Sequence, residues 1–247
     1  GTVIMGRFLL THETATVFRM APAIYGLTWI ILWLYQKPAD ASRVRVSFSM
    51  TELKEIFANK RIVTFLLLLA LIGIGISPIY VFINFYYRDI GASNQLIGFG
   101  FALMALSEVP FFFIAGGWVR RFGAPQVLLT AIGIAVIRLG LYGFISSPII
   151  AVLLGLVQGL TFSLFWVSVV EIMHDLVPEK YRATAQSLIW AFHSGAGVTI
   201  GNMCIGRLSD FLAMQKVMLM ASAFTALAFI CLLLYFRSLG KKVSAGQ

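Results

Sequence analysis

The stretch LTAIGIAVIRLGLYGF, residues 129–144, is almost wholly apolar, yet it carries Arg138 in its middle. The rest of the chain has a similar character, because 60% of all residues are hydrophobic, only 12% are charged and the mean hydropathy is +0.90. This composition excludes an ordinary soluble domain and is typical of a chain that is surrounded by lipid. We therefore expect helices that cross a bilayer, with Arg138 inside one of them.

Seven runs of the sequence are apolar and have about the length of the ~20 residues that a helix needs to cross a ~30 Å hydrocarbon core. They are residues 20–35, 63–86, 96–119, 127–145, 149–173, 184–205 and 217–236. The links between the last six are short and contain turn residues such as Gly91, Gly123 and Pro148. This pattern predicts an all-α membrane protein with a six-helix transmembrane bundle.

The segment 37–62 is the one long polar link, and it contains the sequence SMTELKEIFANKR. Ser49 and Glu52 have the spacing of a capping box, and apolar residues such as Leu53 and Ile56 recur at helical spacing. We interpret this segment as a linker with a short amphipathic helix that lies on the membrane surface. The alternative is a solvated linker whose periodicity is accidental.

Lysines and arginines are distributed unevenly over the links. Counting them in alternate links places thirteen on one side of the bundle and five on the other, and Arg138 belongs to neither set. The richer side includes the linker 37–62 and the tail 237–247, and the positive-inside rule assigns it to the cytoplasm of a cell (inner or plasma) membrane. The net charge of +9 is thereby explained without a nucleic-acid partner.

The beginning of the chain repeats its end. Residues 1–36 align with residues 201–236 without a gap and with twelve identities, among them a Gly-Arg pair. Parallel repeats of six helices are the plan of one large class of secondary transporters. We therefore predict that residues 1–36 end an N-terminal six-helix half, that residues 63–236 form the C-terminal half, and that the missing N-terminal half is a partner of this bundle.

Three stretches of the sequence resemble the major facilitator superfamily. GGWVRRFGAPQVLL is similar to the Gly-rich loop after the second helix of a half, and VPEKYRATAQSL is similar to the link before the penultimate helix. The combination of SEVPFF, RRFGAPQVLL and IRLGLYGF resembles the lactose-permease-like, nucleoside:proton and phenylpropionate:proton symporters, because it places Glu108 and Arg138 around the loop. The resemblance implies a secondary transporter that works by alternating access.

The same resemblance implies a gating loop between the second and third helices of the half. Its residues here are Gly116, Arg120, Arg121 and Gly123. The superfamily usually has an acidic residue where Arg120 stands, so this chain departs from the pattern at the position of a gating ion pair.

Glu108 and Arg138 are predicted to reach a similar depth in the membrane. Glu108 lies twelve residues before Arg120, and Arg138 lies twelve after Gln126. A rise of ~1.5 Å per residue places each of them ~18 Å from the hairpin between their helices. An isolated charge at such a depth costs at least ~2.5 kcal/mol, so each needs a partner or a water-filled cavity. We expect adjacent helices to supply that partner.

Our hypothesis for this pair is that Glu108 binds the coupled proton and that Arg138 tunes its proton affinity. The alternative is a structural ion pair that fixes the bundle.

Polar and aromatic side chains recur at helical spacing on three further spans, and these faces are expected to line a cavity. The candidate substrate-binding residues are Ser77, Tyr80, Asn84, Gln158, Thr161, Phe162, Trp190 and His193. The stripe on the penultimate span comprises Gln186, Trp190, His193 and Gly197. Such groups suit a small, partly polar organic solute, whereas the alternative assigns the stripes to helix packing. By the resemblance, Ser77 and Tyr80 replace amide side chains of nucleoside symporters, which argues against a nucleoside.

The sequence contains no catalytic constellation, phosphate loop or cofactor fingerprint, so we predict no enzyme activity and no cofactor. Acidic residues and a histidine between 171 and 179 are interpreted as loop electrostatics rather than as a metal site. The predicted function is proton-coupled symport of a small organic solute. The alternatives are a uniporter or exchanger of the same fold, or a non-transporting membrane receptor or scaffold.

Overall fold

The computed structural model describes residues 14–34 and 50–244, which are helical apart from short turns. The α-helices are α1 (Thr14–Leu34), α2 (Met50–Ala58), α3 (Lys60–Tyr80), α4 (Ile83–Asp89), α5 (Asn94–Phe122), α6 (Ala124–Tyr142), α7 (Pro148–Leu154), α8 (Val157–Leu176), α9 (Arg182–Trp190), α10 (Thr199–Ser209) and α11 (Met214–Ser244). A 3₁₀ turn, Glu179–Tyr181, precedes α9, and a π-helical segment, Ala191–Val198, joins α9 to α10.

Six stretches of the described chain are long and apolar enough to cross a membrane. They are Lys60–Tyr80, Asn94–Phe122, Ala124–Tyr142, Pro148–Leu176, Glu179–Ser209 and Met214–Leu239. The predicted fold class, an all-α membrane protein with a six-helix bundle, is thereby confirmed. The first predicted span lies in α1, whose apolar part, Tyr25–Leu34, is shorter than these six. Residues 1–13 of the repeat and Ser49 of the capping box lie outside the described residues.

The first predicted crossing of the bundle, residues 63–86, is in fact two helices. α3 ends at Tyr80 and α4 begins at Ile83, shortly after Pro78. Proline has no backbone N–H, so the carbonyl of Ile74 loses its helical donor. The hydroxyl of Ser77 donates to that carbonyl at 2.8 Å instead. An unbroken apolar sequence hides this break.

Two other predicted spans are also irregular. Residues 149–173 divide around Gly155 into α7 and α8. A Cβ atom added to Gly155 would come within 2.8 Å of the carbonyl oxygen of Val152, so this turn needs glycine. Residues 184–205 pass through the π-helical segment, where each turn holds more residues than an α-helical turn does.

Helices that follow one another in sequence are not always close neighbours in space. α5 packs mainly on α8, whereas α6 packs mainly on α8 and α11. α5 and α6 are joined by a single turn at Gly123, but they make far less contact with each other. The central element of this side of the bundle is therefore α8, which lies between α5 and α6.

The close approach of α5 and α8 depends on a glycine. A Cβ atom on Gly159 would overlap the backbone of Ser107. Without one, the backbone N–H of Gly159 donates to the Ser107 hydroxyl at 3.1 Å, and that hydroxyl donates to the carbonyl of Met104 at 2.6 Å. This contact fixes the register of α5 on α8.

Hydrogen bonds between residues far apart in sequence join neighbouring spans at each end of the bundle. Where α3 begins, the Tyr235 hydroxyl of α11 donates to the carbonyl of Arg61 at 3.1 Å. At the opposite end, the carbonyl of Ile145 accepts from the Tyr86 hydroxyl at 2.9 Å and from the Gln215 amide at 3.1 Å. The first and last of the six spans are therefore direct neighbours.

The helix predicted in the linker is present as α2, and it packs on α3. Its Ile56 is buried, and its two carboxylates bond to the 3₁₀ turn before α9 and to the first turn of α9. Glu55 accepts a hydrogen bond from the Tyr181 hydroxyl, and Glu52 accepts one from Thr184 at 3.2 Å. The apolar face of α2 is thus partly covered by protein, since Ile56 is buried while Phe57 remains exposed.

Candidate functional site

A small cavity of about 20 Å³ lies where α3, α6 and α8 meet. Five of its lining residues are candidates from the sequence, namely Tyr80, Arg138, Gln158, Thr161 and Phe162. The rest of the wall is aliphatic or aromatic. A cavity of this size holds about one water molecule, or one small polar group of a ligand. The structure therefore brings the predicted arginine together with half of the predicted substrate-binding set.

Arg138 is the only charged side chain of that wall, and only 3% of it is exposed. Its Nε and Nη1 atoms have no hydrogen-bond partner among the described residues. Among the described residues, the one ion pair within 4.0 Å joins Arg182 to Glu179, at 3.9 Å on the surface. Arg138 is thus a buried cation without a counter-charge in the described chain.

Glu108 is half-buried on α5 and does not line this cavity. Its backbone is held against α8, because the Ser163 hydroxyl donates to the carbonyl of Glu108 at 3.3 Å. The expected direct contact between Glu108 and Arg138 is absent because α8, not α6, is the main neighbour of α5. Both charges nevertheless lie within electrostatic range of the Tyr80 phenol.

The other polar groups of the cavity wall differ in whether they have hydrogen-bond partners. The Thr161 hydroxyl donates within α8, to the carbonyls of Val157 at 3.1 Å and of Gln158 at 3.2 Å. By contrast, Oε1 of Gln158 is buried without a partner in the described chain, and the Tyr80 hydroxyl makes no hydrogen bond to a described residue. The residues that line the cavity therefore include donors without a partner, in Arg138 and Tyr80, and an acceptor without a partner, in Gln158.

Ser77 and Asn84 lie apart from this group. Ser77 is fully buried, and its hydroxyl donates to the carbonyl of Ile74 within α3. Asn84 is on α4, beyond the break after α3, and its Oδ1 atom is buried without a partner in the described residues. Neither side chain lines the cavity.

Trp190 and His193 are close to one another but differ in exposure. His193 is fully buried in the π-helical segment, where Nδ1 donates to the carbonyl of Leu69 at 3.2 Å and the ring lies 4.7 Å from that of Phe165. Trp190 is 52% exposed and stacks on Trp166 at 4.1 Å. The predicted stripe assumes α-helical spacing, and the wider turns of the π-helical segment break it.

The four candidate gating residues lie at or near the turn between α5 and α6. Gly123 has a φ of +85°, in the left-handed region that favours glycine. Arg120 and Arg121 are exposed at the end of α5, and the Arg121 guanidinium lies 5.2 Å from the centre of the Phe122 ring. Arg120 has no acidic partner within 4.0 Å in the described chain.

A cluster of three tyrosines next to the cavity was not predicted from the sequence. We call Tyr86, Tyr87 and Tyr142 the tyrosine cluster. Tyr142 lies one turn after Arg138 on α6, and its ring is 5.1 Å from that of Tyr86. The hydroxyls of Tyr87 and Tyr142 are 3.5 Å apart. The spacing of four residues between Arg138 and Tyr142 was the available signal, since such residues share a helix face.

The chain is similar in sequence and in fold to known membrane transporters. The sequence matches the model of the MFS_1 like family over residues 8–220. It is 24% identical to the uncharacterized transporter YwbF of Bacillus subtilis (strain 168) over 170 residues, which are 68% of this chain and 42% of the relative. It is 24% identical to a xanthosine permease of Escherichia coli (strain K12) over 174 residues, 66% of this chain and 42% of the relative.

A maltose permease of Geobacillus stearothermophilus is 28% identical over 147 residues, 60% of this chain and 37% of the relative. The chain thus spans less than half the length of these curated relatives. The fold is similar to the crystal structure of a mutant of the nucleoside transporter NupG, with a TM-score of 0.69 at 18% identity. That similarity covers 81% of this chain and 55% of the other.

Proposed function

Because the chain belongs to the MFS_1 like family, whose relatives are membrane transporters and not enzymes, we propose that the complete protein is a proton-coupled symporter. It would carry a small, partly polar organic solute across the cell membrane by alternating access. In this proposal residues 63–236 are the C-terminal half and residues 1–36 end the N-terminal half. The linker 37–62 and the tail 237–247 face the cytoplasm.

The observation that carries the proposal is the unpaired, buried guanidinium of Arg138. Burying a charge without a partner is costly, and ionisable residues inside membrane helices commonly mark the path of an ion or a solute. The neighbouring Tyr80, Gln158 and Phe162 add hydrogen-bonding groups and a ring at the same cavity. This combination supports a solute site more than it supports a purely structural role.

We assign proton binding to Glu108, which is the central residue of α5 and the one acidic side chain near the middle of a described span. Apolar surroundings favour the neutral form of a carboxyl group, and a nearby cation favours its charged form. In this proposal a solute that neutralises Arg138 removes a positive charge near Tyr80, and Glu108, which lies in electrostatic range of the same phenol, responds by a change in its proton affinity. Such a change links solute binding to proton binding.

The test uses the complete protein in proteoliposomes that contain a pH-sensitive dye. Xanthosine, maltose and benzoate serve as probes, because the first two are named for relatives and the third is a simple organic acid. We expect one of them to enter together with protons. Glu108→Gln should abolish accumulation against a gradient and keep exchange between equal concentrations, whereas Glu171→Gln, at an exposed position, should behave like the native protein.

Other outcomes separate the alternatives. Normal accumulation by Glu108→Gln would contradict the assignment of the proton site. Solute flux without proton movement in the native protein would favour a uniporter or an exchanger. The absence of flux for all three probes would favour a receptor or scaffold.

A further inference from the structure

We infer that Arg138 holds a singly charged oxyanion of the transported solute, such as a carboxylate, so that the solute is an organic monoanion. The inference rests on the proposed transport function and adds the charge of its substrate. It starts from the balance of charge and of hydrogen-bonding groups around Arg138.

The charge of Arg138 is not balanced by the surrounding protein. Its cavity is lined by no acidic side chain, and no described acidic residue lies within 4.0 Å of its guanidinium. The backbone of α5 at Glu108 is held against α8 by the contacts of Ser107 and Ser163, and the Glu108 carboxylate lies more than 4.0 Å from the guanidinium. A buried guanidinium without a counter-charge is unfavourable, so an anion that enters the cavity is bound strongly.

Hydrogen-bonding groups point to the same class of ligand. Two guanidinium nitrogens of Arg138 and the hydroxyl of Tyr80 are donors without a partner in the described chain. The matching acceptor is Oε1 of Gln158, while the hydroxyl of Thr161 is already used within α8. Because the guanidinium nitrogens can only donate, and the Tyr80 hydroxyl can donate as well, these groups are complementary to a ligand group that accepts.

The size and the charge of the cavity favour a carboxylate over a phosphate. One arginine supplies a single positive charge, and a volume of about 20 Å³ admits only the small end of a ligand. A carboxylate has one charge and two acceptor oxygens that suit the planar guanidinium. A phosphate monoester would bring nearly two charges and a third free oxygen.

The first test asks whether the protein itself supplies the counter-charge. We compare the thermal midpoints of the complete, unloaded protein and of its Arg138→Met variant in detergent. Removing an unpaired buried charge should leave the midpoint unchanged or raise it. A clear fall would show that an acidic side chain elsewhere in the complete protein pairs with Arg138, and it would overturn the inference.

The second test measures binding to the purified complete protein by calorimetry. The probes are pairs of similar size that differ in charge: benzoate and benzamide, lactate and lactamide, and xanthosine and inosine at a pH where the xanthine base is ionised. We expect at least one anion to bind more tightly than its neutral partner, by about thirtyfold or more. Arg138→Gln should remove this difference, and Arg138→Lys should keep part of it.

Arg88→Gln is the control, because Arg88 is exposed at the end of α4. This variant should bind like the native protein. Equal binding of anions and neutral partners, or an anion preference that survives Arg138→Gln, would overturn the inference. Since binding is measured without a gradient, a protein that binds anions but moves no protons would refute the proposed coupling and leave this inference standing.

Discussion

Arg138 and Tyr142 lie one turn apart on α6 and are both almost fully buried, yet their surroundings differ. In the tyrosine cluster every hydroxyl has a partner: Tyr86 donates to Ile145, and Tyr87 contacts both Tyr142 and the carbonyl of Ala151. At Arg138, two nitrogens have no partner in the described chain. The difference teaches that a buried hydroxyl with a partner inside the protein can be assigned to the stability of the fold, whereas the guanidinium without one is the group that we propose for ligand binding.

The largest loss of stability is expected when the tyrosine cluster is disrupted. Tyr142→Ala deletes a buried ring and the hydroxyl contact with Tyr87, and it should lower the free energy of unfolding by about 3–5 kcal/mol. Denaturant unfolding of the purified protein measures this. Phe144→Ala, at an exposed aromatic residue just beyond α6, is the control and should change stability by less than about 0.5 kcal/mol. Similar losses in both variants would contradict a structural role for the cluster.

A smaller effect is expected at the close contact between α5 and α8, next to Glu108. Gly159→Ala forces a methyl group against the backbone of Ser107, which cannot move away cheaply, and should cost about 1–3 kcal/mol. Gly117→Ala is the matched control on α5, because a Cβ atom there meets nothing within 4 Å. It should be neutral, or stabilise by up to about 1 kcal/mol. Equal effects of the two substitutions on the thermal midpoint would show that the α5–α8 contact is looser than described.

The smallest loss of stability is expected from the substitution of tyrosine by phenylalanine. We compare it at Tyr86, in the tyrosine cluster, and at Tyr80, in the cavity wall. Tyr86→Phe removes the donor to Ile145 and should cost about 0.5–1.5 kcal/mol. Tyr80→Phe removes a hydroxyl that bonds to no described residue, so its stability should stay within about 0.5 kcal/mol of the native protein. Solute affinity should respond in the opposite order, with the larger loss in Tyr80→Phe. A stability loss at Tyr80 equal to that at Tyr86 would remove the distinction between the two regions.

The six spans could be predicted because apolar length is a local property of the sequence. The same applies to α2, whose helical spacing of Leu53 and Ile56 is visible without any knowledge of the bundle. Local patterns also identified Arg138 as an exception within an apolar helix. They did not reveal the break after Pro78 or the π-helical segment, because both lie within continuous apolar runs.

The lateral position of Glu108 could not be predicted in the same way. Counting residues from the hairpin gives a height along the helix, since the rise per residue is fixed. Which helix lies beside Glu108 depends instead on how closely the backbones approach, and here Gly159 allows α8 to pack directly on Ser107. Height alone therefore does not determine whether the two side chains meet, and in the described chain no ion pair within 4.0 Å joins them.

The hydrogen bond between Tyr235 and Arg61 has a consequence for tandem duplication of the six-helix unit. It joins the last span to the first at one end of the bundle, so a chain enters and leaves the six-helix unit at neighbouring points. A unit with this property can be copied in tandem, because a connecting segment between two copies never has to cross the membrane and both copies keep one orientation. An odd number of crossings would invert each successive copy. If residues 1–36 end an N-terminal half, as proposed above, their similarity to residues 201–236 has the order that such a duplication produces.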